Sequence, residues 1–500
     1  MPFSATRTVA FALVLLGPSA CHKSSSSAAP AASTPSAISP APVVATPLAD
    51  ADIKAAVETK LRTDKKMGGA SVAVGVRKGV VALHGKVDNL LSRGRATRLA
   101  EAVRGVRSVK NRIVVAPPPR SDQDIQRDVG KALLYNAATA RMSIHATVRG
   151  GVVTLAGVAD SWQEQRLAER IVDGVRGVIF TLNVLKNDGQ AKRPDDAITN
   201  EVKRRLAWDA LVEQDQLVVA VQNGRVTLSG IVGSAAERSR AVSDARVDGV
   251  ADIDATLVEV AWRDRPDDGA PRSVQRADQD IAAAIGVACS YDPRLKASRI
   301  DARVVNGVAT LTGTVDSPKA RMAAEGLARN TVGVVSVDNE LLARSKQILA
   351  DHELETRIED ALAFDAMTEA HELSVAVKNG EVKLTGAVGT FFESAEAFDV
   401  ASRLAGVTRV DNQLQVRDPA VPYVHSAFLD PFTPYVESWY VSPRPLGSDA
   451  VIAARVRAEL DWSPFVQPKS VHVAVLGGKV RLTGNVHTFR ERRAAAQSAL

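Results

Sequence analysis

Eight histidines and two cysteines are the side chains of this 500-residue chain best suited to metal or nucleophilic chemistry, and their spacing supports neither. His22, His84, His145, His352, His371, His425, His472 and His487 are scattered along the sequence. His352-Glu353 and His371-Glu372 each lack the second histidine, four residues on, that would put two imidazoles on one helical face. Cys289 lies in a helical stretch and reads as a small buried hydrophobe. No CxxC, G-x-S-x-G, nucleotide fingerprint or calcium loop occurs. We therefore expect no enzyme, no catalytic residue, no metal, no cofactor and no small-molecule substrate.

Two other groups of residues point to surface chemistry. Cys21 follows Arg7, an apolar run Val9–Leu16 and Gly17-Pro18-Ser19-Ala20. That is a secretory signal over residues 1–20, too short to span a bilayer. A cysteine after a small residue at its end resembles the lipobox of bacterial lipoproteins, although Pro18 stands where that motif usually has Leu, and implies lipid attachment at Cys21. Residues 21–48 are rich in Ser, Ala and Pro and read as a disordered tether. The second group is basic: Arg93, Arg95, Arg98, Arg104, Arg107 and Lys110 crowd one helix and the turn after it. Each cation near an anionic leaflet contributes about 1 kcal/mol, so such a cluster can bind anionic phospholipid. Nucleic acid also suits a basic patch, but an exported chain without interleaved aromatics does not favour it.

The elements that position these residues come from one phrase written six times. Paired glycines six residues apart punctuate apolar alternations: Gly79/Gly85, Gly151/Gly157, Gly224/Gly230, Gly307/Gly313, Gly380/Gly386 and Gly478/Gly484. All twelve read as structural turn residues. A further Gly-Val follows at Gly105, Gly177, Gly249, Gly333 and Gly406. Such a long period means six small domains rather than a solenoid.

In the third copy, Asp195/Asp196 can cap a helix whose Ile198, Val202 and Leu206 form one apolar stripe. Leu217, Val219 and Val221 alternate as a half-buried strand, and Asn223-Gly224 signals a type I′ hairpin. Ser234 and Glu237 form a capping box for a second helix, as do Ser161/Glu164, Thr390/Glu393 and Thr488/Glu491, while Ser317-Pro318 opens the same helix in copy four. Gly249 then reads as a left-handed cap, followed by a third strand at Ile253, Ala255 and Leu257. The fold class is α+β: tandem α-β-β-α-β units, each with two helices on a three-stranded mixed sheet. An aromatic near the end of the first helix (Tyr135, Trp208, Phe364, Trp462) reads as a core plug. An Asn six residues past the Gly-Val glycine (Asn111, Asn183, Asn339, Asn412) reads as a bulge or turn satisfied by its own side chain.

These phrases together resemble the BON domain (bacterial OsmY and nodulation), an envelope module of this length. The resemblance implies association with phospholipid membranes, protection under osmotic or envelope stress, and no enzymatic activity. The repeat phase places copies at 49–116, 121–187, 195–261, 277–343, 350–417 and 448–500. The sixth stops before a third strand, which would leave an apolar sheet edge open. Residues 418–447 interrupt the array with six aromatics among prolines, suited to packing on a neighbour or to a membrane or partner.

Charge is unequal among the copies: net +10, +1, −5, −1, −7 and +4 in chain order. The expected protein is periplasmic and anchored by an N-terminal lipid, more readily at the outer than the inner membrane. Its expected partner is an anionic phospholipid membrane; the alternative is a lipid-tethered scaffold for envelope proteins.

Overall fold

The computed structural model describes residues 48–64, 71–187, 193–261, 276–368, 373–389, 391–416, 448–486 and 489–497. Cys21, the tether as far as Pro47, Lys65, Lys66, Thr390, Thr488 and the aromatic segment 418–447 lie outside them.

Each of the first five copies has the expected order, and the pairing gives it shape. In copy one the hairpin strands Val72–Arg77 and Val80–Val87 are antiparallel. The helix Leu90–Glu101 then crosses to a third strand, Ser108–Val115, parallel to the second. The second strand is therefore central, with helices over one face. Copy six shows a helix, a two-stranded hairpin and a second helix among its described residues.

The first glycine of each pair, Gly79, Gly151, Gly224, Gly307, Gly380 or Gly478, does sit in the hairpin turn. Both central turn positions take positive φ where type I′ requires it, as at Asn223 (52°) and Gly224 (74°).

Four local readings need correction, and the first concerns the other glycine of each pair. Gly85, Gly157, Gly230, Gly313, Gly386 and Gly484 are not turn residues. Each lies in the second strand of its copy. Each stands opposite a residue near the start of the first strand: Val72, Ile144, Leu217, Ile300, Leu373 and Val471 respectively. Their φ values of 118–140° leave the chain extended in a way that a side chain rarely tolerates. Space forbids a side chain as well. A Cβ at Gly230 would lie 2.0 Å from the carbonyl oxygen of Gln216, just before the first strand. At Gly85, Gly157, Gly313 and Gly484 it would lie 1.9–2.0 Å from the corresponding oxygens of Ser71, Ser143, Arg299 and Ser470. These glycines permit a close crossing of two strands, not a reversal of the chain.

The second correction is to the helix starts. Asp195 does not cap its helix: Pro194 is the N-cap, with no side-chain bond. Instead Asp195 accepts the Asn223 and Gly224 N–H groups at 2.7 and 2.9 Å, so the carboxylate clamps the hairpin turn onto the helix. Asp50, Asp122, Asp278, Asp351 and Asp449 do the same in their copies. Third, Gly249 does not cap the second helix, which ends at Asp244. Its φ of +91° turns the chain under Ile198, and its carbonyl meets the hairpin at Gly224. Two of the capping boxes form: Glu164 and Glu237 donate N–H to Ser161 and Ser234, and their carboxylates accept from Asp160 and Gly233.

The fourth correction concerns the aromatic slot, which packs against the core of another copy. Phe364 is 6% exposed within one continuous core built from copies two and five. Trp208 of copy three packs on the core of copy four, and Trp462 of copy six on that of copy one. Copy four also has an aromatic in this slot, Tyr291, which is the C-cap of its first helix, whereas Tyr135, Trp208, Phe364 and Trp462 are the last residues of theirs.

The backbone seals these contacts. Arg176 donates its N–H to the Phe364 oxygen at 2.8 Å, and Ala405 reciprocally to Tyr135 at 2.9 Å. Val332 donates to Trp208, and Arg104 to Trp462, both at 3.0 Å. The copies thus pair in nested order: one with six, two with five, three with four.

Candidate functional site

The basic helix of copy one does not form the open patch that its sequence suggests. Arg95 is drawn inward onto Asp64 at 2.6 Å, with both side chains largely covered. Arg104 reaches the Asp461 carbonyl oxygen at 3.5 Å, while its N–H bonds Trp462. Arg93 and Arg98 are half-buried. Arg107 is exposed but faces Glu259 of copy three at 3.7 Å. Pairing between copies uses much of this charge. Lys110 remains exposed, on the sheet rather than the helix.

The helix-free face of that sheet is the stronger candidate. Side chains alternate along strands, so one set is buried against the helices and the other faces out. Register puts Gly75, Ala82 and Lys110 in one row, Ala73, His84 and Arg112 in the next, and Lys86 beside Val114. Arg77 closes the face at the hairpin end. Arg77, Lys86, Lys110 and Arg112 are all exposed, and none forms an ion pair with a described residue. The three strands contain no Asp or Glu. Glycine and alanine at the centre keep the surface flat, so four cations can approach a planar anionic layer together.

Other copies lack this character. In copy three, Arg225 on the same face is paired with Asp252 at 2.9 Å. In copy five, Lys378, Lys383 and Arg409 alternate with Glu381 and Asp411 on the outward positions. Copy six resembles copy one, with exposed Lys479 and Arg481 and no acidic residue in its hairpin strands. The signal that could have marked the sheet was available: three strands without a carboxylate in the most basic copy.

The remaining singled-out residues are structural. Each of Asn111, Asn183, Asn339 and Asn412 donates its amide to a carbonyl of the second helix and accepts an N–H two residues on. In copies two, four and five the third strand breaks at this Asn, whereas in copy one it runs unbroken through Asn111. The turn N–H groups, Gly79 and Lys78 on Asp50 and Gly151 and Gly150 on Asp122, hold those carboxyls below their ordinary range. Cys289 is buried, which pushes its thiol up to about 12 and keeps it from forming a reactive thiolate. Among the described residues no helix is long and apolar enough to cross a membrane, and no cluster of three or more His, Cys, Asp or Glu could hold a metal.

A first helix clamped to a hairpin turn by one carboxylate, beside a second helix crossing to a parallel strand, defines a small α+β module repeated along the chain. The chain belongs to the BON domain family, whose sequence model matches residues 49–117, 121–186, 194–261, 277–344, 350–418 and 448–500. It is 33% identical over 138 residues to the outer membrane lipoprotein DolP of Haemophilus influenzae, covering 27% of this chain and 71% of that protein. It is 32% identical over 139 residues to osmotically-inducible protein Y of Escherichia coli, covering 26% and 69%. A 21 kDa hemolysin of Actinobacillus pleuropneumoniae is 30% identical over 151 residues, covering 29% and 77%.

Proposed function

We propose that this is a non-enzymatic envelope protein that binds anionic phospholipid surfaces and supports envelope integrity or osmotic-stress tolerance. The names of its relatives, an outer membrane lipoprotein and an osmotically-inducible protein, support the compartment and the stress role. A lipid on Cys21 would hold the array at a membrane, and the periplasm is the compartment in which a secreted, tethered chain would work. The observation that carries the binding reading is the flat outer sheet face of copy one, whose four cations pair with no described residue and whose strands hold no carboxylate.

Four cations at about 1 kcal/mol each amount to roughly 4 kcal/mol before screening, enough to reinforce a lipid anchor that is weak alone. Flotation of residues 44–500, which form one compact unit, tests this without Cys21. Vesicles containing phosphatidylglycerol or cardiolipin should retain the protein, phosphatidylcholine vesicles should not, and added salt should release it. Lys110→Glu with Arg112→Glu should lower affinity about tenfold or more at unchanged melting temperature. Reversing Arg95 would be a poor test, since it would set a carboxylate against buried Asp64. Equal binding to both vesicle types, or indifference to the reversal, refutes the reading.

One observation favours a scaffold instead. Phe180 and Leu182 on the third strand of copy two, and Val184 just after it, are each about half exposed, at 50%, 46% and 49%. If the array recruits envelope proteins there, Leu182→Lys would abolish a co-purifying partner and leave flotation intact.

A further inference from the structure

Between copies four and five lies an open cleft of about 520 Å³, within the size range of sites that hold small organic ligands. Its walls are held in place. Lys319 of copy four is ion-paired with Asp399 of copy five, both buried. The connecting segment is pinned where the Gly406 N–H meets Ser345 Oγ at 2.9 Å and the Arg344 N–H meets the Val315 oxygen at 2.7 Å.

The lining divides into two chemistries. Met322, Leu341, Phe398 and Val410 provide apolar surface. Arg321, Arg344 and Arg409 stand around it, against a single carboxylate, Glu381. Arg321 is fixed by donating to the Asn339 oxygen at 2.7 Å. Arg344 and Arg409 are exposed, and their guanidinium groups bond no described residue. Copies four and five are net acidic, at −1 and −7, so an excess of cations here runs against their overall charge. An inorganic anion would leave the apolar floor wet, and a neutral alkane would leave the arginines unused.

We infer that this cleft binds a single-chain anionic amphiphile: one alkyl chain over Met322, Phe398 and Val410, with a phosphate or carboxylate head between Arg344 and Arg409. A guanidinium suits either head because its planar N–H groups pair with two oxygens at once. The site takes one monomeric molecule and does not depend on membrane contact by copy one.

Titration of residues 44–500 by native mass spectrometry and calorimetry, below micelle-forming concentrations, tests the inference. Lysophosphatidylglycerol or palmitate should bind once; whichever binds more tightly identifies the preferred head. Lysophosphatidylcholine and glycerol phosphate should bind at least about tenfold more weakly, lacking net charge or chain. Arg344→Gln with Arg409→Gln should weaken binding by a similar factor, and Met322→Trp, which fills the floor, should abolish it at unchanged melting temperature. These variants should leave vesicle flotation intact, whereas Lys110→Glu/Arg112→Glu should leave monomer binding intact, so the two readings fail separately. Glycerol phosphate binding as tightly as the lysolipid, equal binding of lysophosphatidylcholine, no binding at all, or insensitivity to the arginine changes would each overturn the inference.

Discussion

Phe364→Ala tests whether the copies are independent beads or obligate pairs. Phe364 is 6% exposed and belongs to the core that copies two and five share, so truncation removes packing from both. A buried Phe→Ala change costs about 3–5 kcal/mol, a large part of the roughly 5–15 kcal/mol that stabilises a domain. The Phe364 oxygen also receives the Arg176 N–H, while Arg176 Nη2 donates to the Thr368 oxygen at 2.8 Å, so the joint loosens where the backbone crosses. Hydrogen exchange on residues 44–500 reads the result locally. A loss of about 3 kcal/mol speeds exchange by about a hundredfold wherever opening requires the shared core to separate. Amides of Arg176 in copy two and Ala405 in copy five should therefore quicken together, while those of copies three and four change little. Faster exchange confined to copy five would show that each copy folds alone, and the pairing argument would fall.

Two further outcomes follow from the hairpin and from the interface of copies four and five. Gly230→Ala drives a Cβ to 2.0 Å from the Gln216 oxygen and should cost upward of about 3 kcal/mol, whereas Gly224→Ala, at 2.8 Å from the Gly249 oxygen, should cost about 1 kcal/mol or slightly more. Thermal melts that reverse this order would show that the turn, not the strand crossing, is the tighter place. Burial, and then the Asp365 and Asp399 carboxylates, push Glu396 up to about 8, against the pull of Arg403 and Lys319. Glu396 is thus protonated when folded and ionised when unfolded over about pH 4.5–8, so stability falls as pH rises through that window. Glu396→Gln should remove on the order of 1–2 kcal/mol of this fall, merging with the parent below about pH 4.5; parallel pH–stability curves would refute it.

The repeat unit was legible because its constraints are local. A glycine fixes each hairpin turn, a serine opens a helix, and alternation marks the strands; none depends on another copy. The second glycine was legible as a requirement but not as its cause. Gly230 interrupts an apolar alternation much as a turn residue does, and only the register with Leu217 shows that a neighbouring backbone excludes its side chain. The clamp by Asp195 was half legible: an acidic residue opens every first helix, but capping explains that equally well without knowing that a turn lies overhead. Pairing was illegible for a physical reason. An aromatic at the end of an amphipathic helix looks the same whether it fills its own core or its neighbour's, and nothing local to Trp462 says that copy one is its receptor. The arginine patch failed by the same route. Charge counting finds Arg95 and Arg104, and only tertiary contact shows them spent on Asp64 and Asp461. The cations left on the surface sit at strand positions where a period of two, not a helical cluster, was the pattern to count.

Nested pairing also gives the unequal charges a consequence that beads on a string would lack. Copies one and six, the two most basic, lie at opposite ends of the array in sequence and meet in space through Trp462. Their pair carries a net +14, and each of the other two pairs carries −6. Arg107 of this pair meets Glu259 of acidic copy three at 3.7 Å, so a little of that excess is neutralised from outside the pair. Fields from charges gathered on one pair add, whereas charges spread beyond a Debye length of about 8–10 Å are screened from one another. Folding the chain back on itself therefore turns two moderately separated basic domains into one strongly cationic unit, bordered by acidic pairs that an anionic surface would repel. If the proposed membrane binding holds, that arrangement would orient as well as attract, and copy six would contribute alongside copy one.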